Sequence, residues 1–132
     1  MNANPADSPP PSVKKHILIV DDEAAIREVL GSILTQKGFR VTAVPSAHEA
    51  ETVAGRDVPD LVITDLQLED SDGLEMVGRL KALLPETPMM LLTGVLFDPK
   101  VVREVLNEKV SCYVDKLAPL SRILAEVERL TG

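Results

Sequence analysis

The feature that most constrains this chain is a repeated unit, in which a short apolar run breaks off at a polar residue and a helix-patterned stretch follows. His16-Ile17-Leu18-Ile19-Val20 stops at Asp21-Asp22-Glu23, and Leu61-Val62-Ile63-Thr64 stops at Asp65. Met89 to Leu92 stops at Thr93-Gly94, and Cys112-Tyr113-Val114 ends near Lys116. A further run, Val41 to Val44, ends in Pro45 and contributes nothing polar, as suits a strand at the sheet margin. Runs that are apolar throughout and rich in β-branched residues read as strands buried on both faces.

Between the runs, apolar residues recur at helical spacing. Ile26, Val29, Leu30, Ile33 and Leu34 share one face, with Gly38 placed to end that helix. Ser46-Ala47-His48-Glu49 has the capping-box form, which starts a second helix running to near Gly55. Leu74, Val77, Leu80 and Leu84 mark a third, closed by Pro85. Asp98-Pro99 opens a fourth with Val101, Val102, Val105 and Leu106 on its apolar face. Leu120, Ile123, Leu124, Val127 and Leu130 mark the last. Buried strands alternating with amphipathic helices predict an α/β fold: a doubly wound, five-stranded parallel sheet with right-handed crossovers.

A length of 132 residues fits one such domain and no second one. A net charge of −7 and an aromatic complement of only Phe39, Phe97 and Tyr113 argue against nucleic acid as a partner, by charge repulsion and by lack of stacking groups. Cys112 stands alone, so an intrachain disulfide and a cysteine metal site are excluded, and a reducing compartment, the cytoplasm, is expected. No apolar run reaches the roughly 20 residues of a membrane span, and no signal-peptide core is present. The Pro-rich residues 1–14 are expected to form a flexible segment ahead of a domain over 15–132.

In open α/β sheets, ligands sit beyond the carboxyl ends of the strands, near the point where strand order reverses. There the sequence places Asp21, Asp22, Asp65, Thr93 and Lys116. Carboxylates 4 Å apart repel by about 4 kcal/mol per pair at an effective dielectric near 20, so a cation should hold them together. Oxygen-only ligands favour a hard ion, Mg²⁺, with Mn²⁺ as an alternative. Lys116 and the Thr93 hydroxyl would add a point charge and a donor for a transferring phosphoryl group, and Asp65, ending a central strand, would be its nucleophile. Gly94 leaves room for the phosphoryl oxygens. Taken singly, the same residues have plainer readings. Asp21-Asp22 fit a helix start that favours acids, Lys116 a solvated lysine, Thr93 strand-end packing, Tyr113 half-buried core, and Cys112 a small buried residue; His16 and His48 receive no chemical role.

Ile-Leu-Ile-Val-Asp-Asp-Glu at 17 to 23, Pro-Asp-Leu-Val-Ile-Thr-Asp-Leu at 59 to 66, Asp72-Gly73, Leu-Leu-Thr-Gly at 91 to 94 and Tyr-Val-Asp-Lys at 113 to 116 resemble, in order and spacing, the receiver domain of two-component response regulators. The resemblance implies the flavodoxin-like, CheY-like fold with strand order 2-1-3-4-5, a type for which a receiver protein is a standard example. It implies Asp65 as phosphoacceptor, Asp21 and Asp22 as holders of Mg²⁺ with Asp22 the direct ligand, and the backbone carbonyl of Gln67 completing the metal site. Thr93 and Tyr113 take the positions that report phosphorylation to the surface of the fourth helix, fifth strand and fifth helix. A histidine kinase or histidine phosphotransfer protein is the implied donor, and a protein target or output domain the implied recipient of the signal. A phosphorylation-linked homodimer is compatible with it, as is a stand-alone receiver or one cut from a longer protein.

Two positions depart from the family's habit. Leu117 follows Lys116 where proline, joined by a cis bond, is usual, so the loop either stays trans or stores strain. Glu69 stands where proline is common and adds charge beside Asp70. Two other functions compete: an interaction module that has lost the chemistry at Lys116-Leu117, and an aspartyl-nucleophile hydrolase. The second is disfavoured because Gln67 occupies the place of that class's general acid. The expected chemistry is therefore self-phosphorylation and slow dephosphorylation without turnover of external substrates.

Overall fold

The computed structural model describes residues 14–65, 67–68, 71–94 and 110–132. The expected N-terminal segment up to residue 13, the helix opened by Asp98, and Glu69 and Asp70 lie outside them.

Five strands form one parallel sheet: β1 (His16–Val20), β2 (Arg40–Val44), β3 (Leu61–Thr64), β4 (Met89–Thr93) and β5 (Cys112–Asp115). Their spatial order is β2-β1-β3-β4-β5, so the order reverses between β1 and β3. β2 lies at the margin, where the sequence placed it. Every residue of β1 and β3 is buried, which is why these strands read as unbroken apolar text.

Successive residues of each strand point to opposite faces, and the two faces carry separate cores. Leu18, Val20, Val62, Met89 and Leu91 pack under α2 (Ala47–Arg56) and α3 (Gly73–Leu83), through Ala50, Ala54, Met76, Val77 and Leu80. Ile17, Ile19, Leu61, Ile63, Met90, Leu92 and Val114 pack under α1 (Ala24–Gln36) and the C-terminal helix (Leu120–Thr131), through Leu30, Leu34, Ile123 and Val127. Each fully buried aliphatic side chain contributes about 1.5 to 3 kcal/mol by leaving water, so these layers fix the strands firmly in register.

The helix boundaries follow local chemistry. Ser46 caps α2 by accepting the Glu49 N–H at 3.2 Å, and its hydroxyl meets the Glu49 carboxylate at 3.1 Å. Gly38, at φ +99°, supplies the left-handed residue that ends α1. Val29 corrects the expected apolar face of α1: it is half exposed, because Leu30 and Leu34 alone point fully into the sheet. Between β3 and α3, where an open loop was expected, Gln67–Leu68 and Ser71–Asp72 pair as a small antiparallel hairpin.

Candidate acidic site at the strand ends

The sheet's hydrogen-bond ladder runs one residue past β1 and β3. Asp21 N–H donates to the Val44 carbonyl at 3.1 Å, and Asp65 N–H donates to the Val20 carbonyl at 3.1 Å. Because Val20 pairs in register with Thr64, Asp21 and Asp65 emerge side by side at the point where strand order reverses. Asp22 follows directly, and one ligand oxygen from each of the three lies within 4.8 Å of the others. Asp21 and Asp65 are buried, whereas Asp22 is the more open.

Lys116 enters from the far side of the sheet, at the end of β5. Its Nζ lies 2.7 Å from Asp65 Oδ2, 2.9 Å from Asp21 Oδ2 and 2.5 Å from Glu23 Oε1, with the side chain only 9% exposed. Leu117 left the loop after this lysine either trans or strained. No cis peptide bond occurs among the described residues, so the Lys116–Leu117 bond is trans and the ammonium still reaches the acids. A Cβ at Gly94 would sit 3.8 Å from the Lys116 stem, so this glycine borders the lysine.

The electrostatics follow from burial. Desolvation pushes the Asp21 carboxyl above its usual range, and the Asp65 charge adds to that rise; the Glu23 N–H, donated to Asp21 Oδ1 at 2.8 Å, and Lys116 oppose it. Burial alone would lower the Lys116 pKa, but bonds to Asp65, Glu23 and Asp21 outweigh it and hold the ammonium above its ordinary value. Arg27 adds positive charge from α1 by donating to the Asp21 carbonyl at 2.7 Å.

Asp21, Asp22, Asp65 and Lys116 are thus brought together. Thr93 ends β4, its backbone in register with Asp115, and its hydroxyl lies outside the described atoms. Gln67 opens the small hairpin two residues beyond Asp65. Tyr113 is half-buried against the core beneath α2 and α3, and Cys112 is likewise only half-buried, against the opposite core. His48 is exposed, while His16 is buried and bonds Thr42 Oγ1 through Nε2 at 2.8 Å. Glu23 is the site residue that sequence reasoning missed. Its place directly after Asp21-Asp22 was the available signal.

A donor set of three clustered carboxylates, without histidine or cysteine, fits a hard divalent cation. Fold and site together define a class: parallel α/β domains whose chemistry rests on an acid cluster at the reversal of strand order. The response regulator receiver domain profile matches residues 17–128, and the chain belongs to that family. The virulence transcriptional regulatory protein PhoP of Salmonella typhimurium strain LT2 is 32% identical over 115 residues, covering 86% of this chain and 50% of PhoP. The transcriptional regulatory protein GlrR of Escherichia coli K12 is 35% identical over 79 residues, 60% of this chain and 18% of GlrR. The chain therefore spans half or less of these curated relatives. A CheY-like receiver domain from Methanospirillum hungatei JF-1 superposes with a TM-score of 0.82 at 27% identity, covering 89% of this chain and 94% of that one.

The chain is thus a receiver domain of the two-component type, a family whose general mechanism is phosphorylation on aspartate and whose members are mostly not enzymes. Receiver domains generally bind Mg²⁺ through an acidic pocket, and in this chain Asp21, Asp22 and Asp65 form an acidic cluster. Among the described residues no helix is long and apolar enough to cross a membrane.

Proposed function

We propose that Asp65 is the phosphoacceptor of this domain, that Asp21 and Asp22 hold Mg²⁺ beside it, and that the domain extends over 15–132. The observation that carries this reading is the meeting of three carboxylates within 4.8 Å with the Lys116 ammonium on Asp65. A Mg²⁺ bound by Asp21, Asp22, Asp65 and the Gln67 carbonyl would neutralise charge that otherwise repels an anionic donor. The rest of the step belongs to the chain. An Asp65 oxygen attacks phosphorus, the nitrogen–phosphorus bond of a donor phosphohistidine breaks, and the imidazole leaves with a proton taken from solvent. Lys116, already 2.7 Å from Asp65, exchanges part of its carboxylate pairing for a phosphoryl oxygen. The Thr93 hydroxyl donates to another and, with Tyr113, carries the change to the partner-binding face.

The donor in this reading is a histidine kinase or histidine phosphotransfer protein, and the recipient of the signal is a protein target or an output domain. The lone Cys112 suits a cytoplasmic setting. The close contact of Lys116 with Asp65 supports this reading over an interaction module that has lost the chemistry at Lys116-Leu117.

The test is incubation with acetyl phosphate and Mg²⁺, followed by intact-mass measurement and reductive trapping of the acyl phosphate. One phosphoryl group should appear, at Asp65, and chelation of the metal should prevent it. Asp65→Asn labelled as well as wild type would refute the assignment.

A further inference from the structure

Lys116 sits on a loop that its own neighbour does not anchor. The peptide bond to Leu117 is trans, and the Leu117 side chain is 90% exposed, so neither a ring nor a buried side chain fixes the approach. Two acids outside the metal cluster do so instead. Asp115 accepts the Leu117 N–H through Oδ1 at 2.7 Å, while its carbonyl accepts the Ala118 N–H at 2.9 Å. These bonds close a tight turn, and the first needs an N–H that proline does not have. Glu23, at the N-cap of α1, accepts from Lys116 Nζ at 2.5 Å across the sheet.

An ammonium has three N–H bonds, and here Asp21, Asp65 and Glu23 each face one. Asp21 and Asp65 also belong to the acid cluster. A divalent ion drawing on their oxygens leaves Glu23 as the one carboxylate of the three committed to the lysine alone.

We propose that Glu23 and Asp115 are positioning residues for phosphoryl transfer, acting only through Lys116: Asp115 sets the turn that presents it, and Glu23 holds its ammonium at the site. This rests on the reading of Asp65 as phosphoacceptor. Both side chains lie outside the core, and Glu23 is 58% exposed, so their replacement is expected to leave the fold intact, as circular dichroism would check.

The experiment is a double-mutant cycle on the rate of label uptake from acetyl phosphate, with Mg²⁺ affinity measured alongside. Glu23→Ala should slow uptake about 2- to 5-fold, as expected for loss of one partly exposed charge contact. Glu23→Gln, which keeps an acceptor, should lose less, and Asp115→Ala should slow uptake comparably to Glu23→Ala. In a Lys116→Ala background none of these changes should slow it further, and Mg²⁺ affinity should not move. Without any donor, the protected ¹⁵N ammonium signal of Lys116 should be present in wild type and broadened in Glu23→Ala. Changes that multiply with Lys116→Ala, a fall in Mg²⁺ affinity, an unaltered ammonium signal, or uptake that is unchanged or faster would each overturn the proposal. If wild type itself takes no label, the Asp65 reading fails and the proposal with it; if wild type labels and the cycle shows no coupling, the proposal fails alone.

Discussion

The two ends of the sheet handle charge in opposite ways. At the amino ends of the strands, Asp57 and Asp60 are both partnered. Arg40 pairs in a fork with Asp57, at 2.5 and 3.0 Å, and the buried His16 N–H donates to Asp60 Oδ2 at 2.7 Å. At the carboxyl ends, Asp21, Asp65 and Glu23 converge on the Lys116 ammonium, Asp22 lies beside the first two, and among the described residues no other ammonium is placed there, with Arg27 reaching only a carbonyl. Paired charge is structural: it stabilises the folded state and asks for nothing more. Surplus buried charge raises the free energy of the metal-free domain, and that excess is what a cation and a phosphoryl group can relieve.

Substitutions at the two ends should therefore separate binding from stability. The largest effect is expected at the carboxyl end: Asp22→Ala should weaken Mg²⁺ by at least about 10-fold, measured by calorimetry, while the metal-free melting temperature holds or rises. A destabilised apo protein would erase the contrast. Next, Asp60→Ala leaves the His16 N–H short of its partner, and urea unfolding should show a loss of about 1 to 2 kcal/mol with unchanged Mg²⁺ affinity.

A smaller effect is expected from pH. The Asp21 carboxyl lies above its ordinary 3.8, so the folded chain binds that proton more tightly than the unfolded chain. Metal-free stability should consequently rise as pH falls from 7 toward that value, and saturating Mg²⁺ should flatten the rise; thermal melts with and without the ion check it. Smallest of all, Arg40→Ala should lower the melting temperature slightly, in a manner that added salt removes, because both partners are solvent-exposed. The same exchange altering phosphoryl uptake would break the comparison from the other side.

The contrast also explains what the sequence revealed. β1, β3 and β4 are buried on both faces and leave an unbroken apolar signature, while the more open β2 and β5 were legible from short β-branched runs, and each stops where the backbone reaches the sheet edge. That made Asp21, Asp22, Asp65 and Lys116 legible as one site. The pairing of His16 with Asp60 was not, since it joins residues 44 positions apart through a backbone donor that every residue shares. The contact between Glu23 and Lys116 was hidden for a related reason: an acid at a helix start already has a local explanation in the helix dipole. The small hairpin after β3 was missed because strands two residues long carry no alternation to read.

The central claim is that Asp65 and the adjacent pair Asp21 and Asp22, far from it in the chain, share one divalent cation. Carboxyl ¹³C resonances of Asp21, Asp22 and Asp65, followed through a Mg²⁺ titration, test it most directly. All three should shift together along one saturation curve, and those of Asp57 and Asp60 should stay still. Independent curves for the three, or movement spread evenly over acids at both ends, would contradict it.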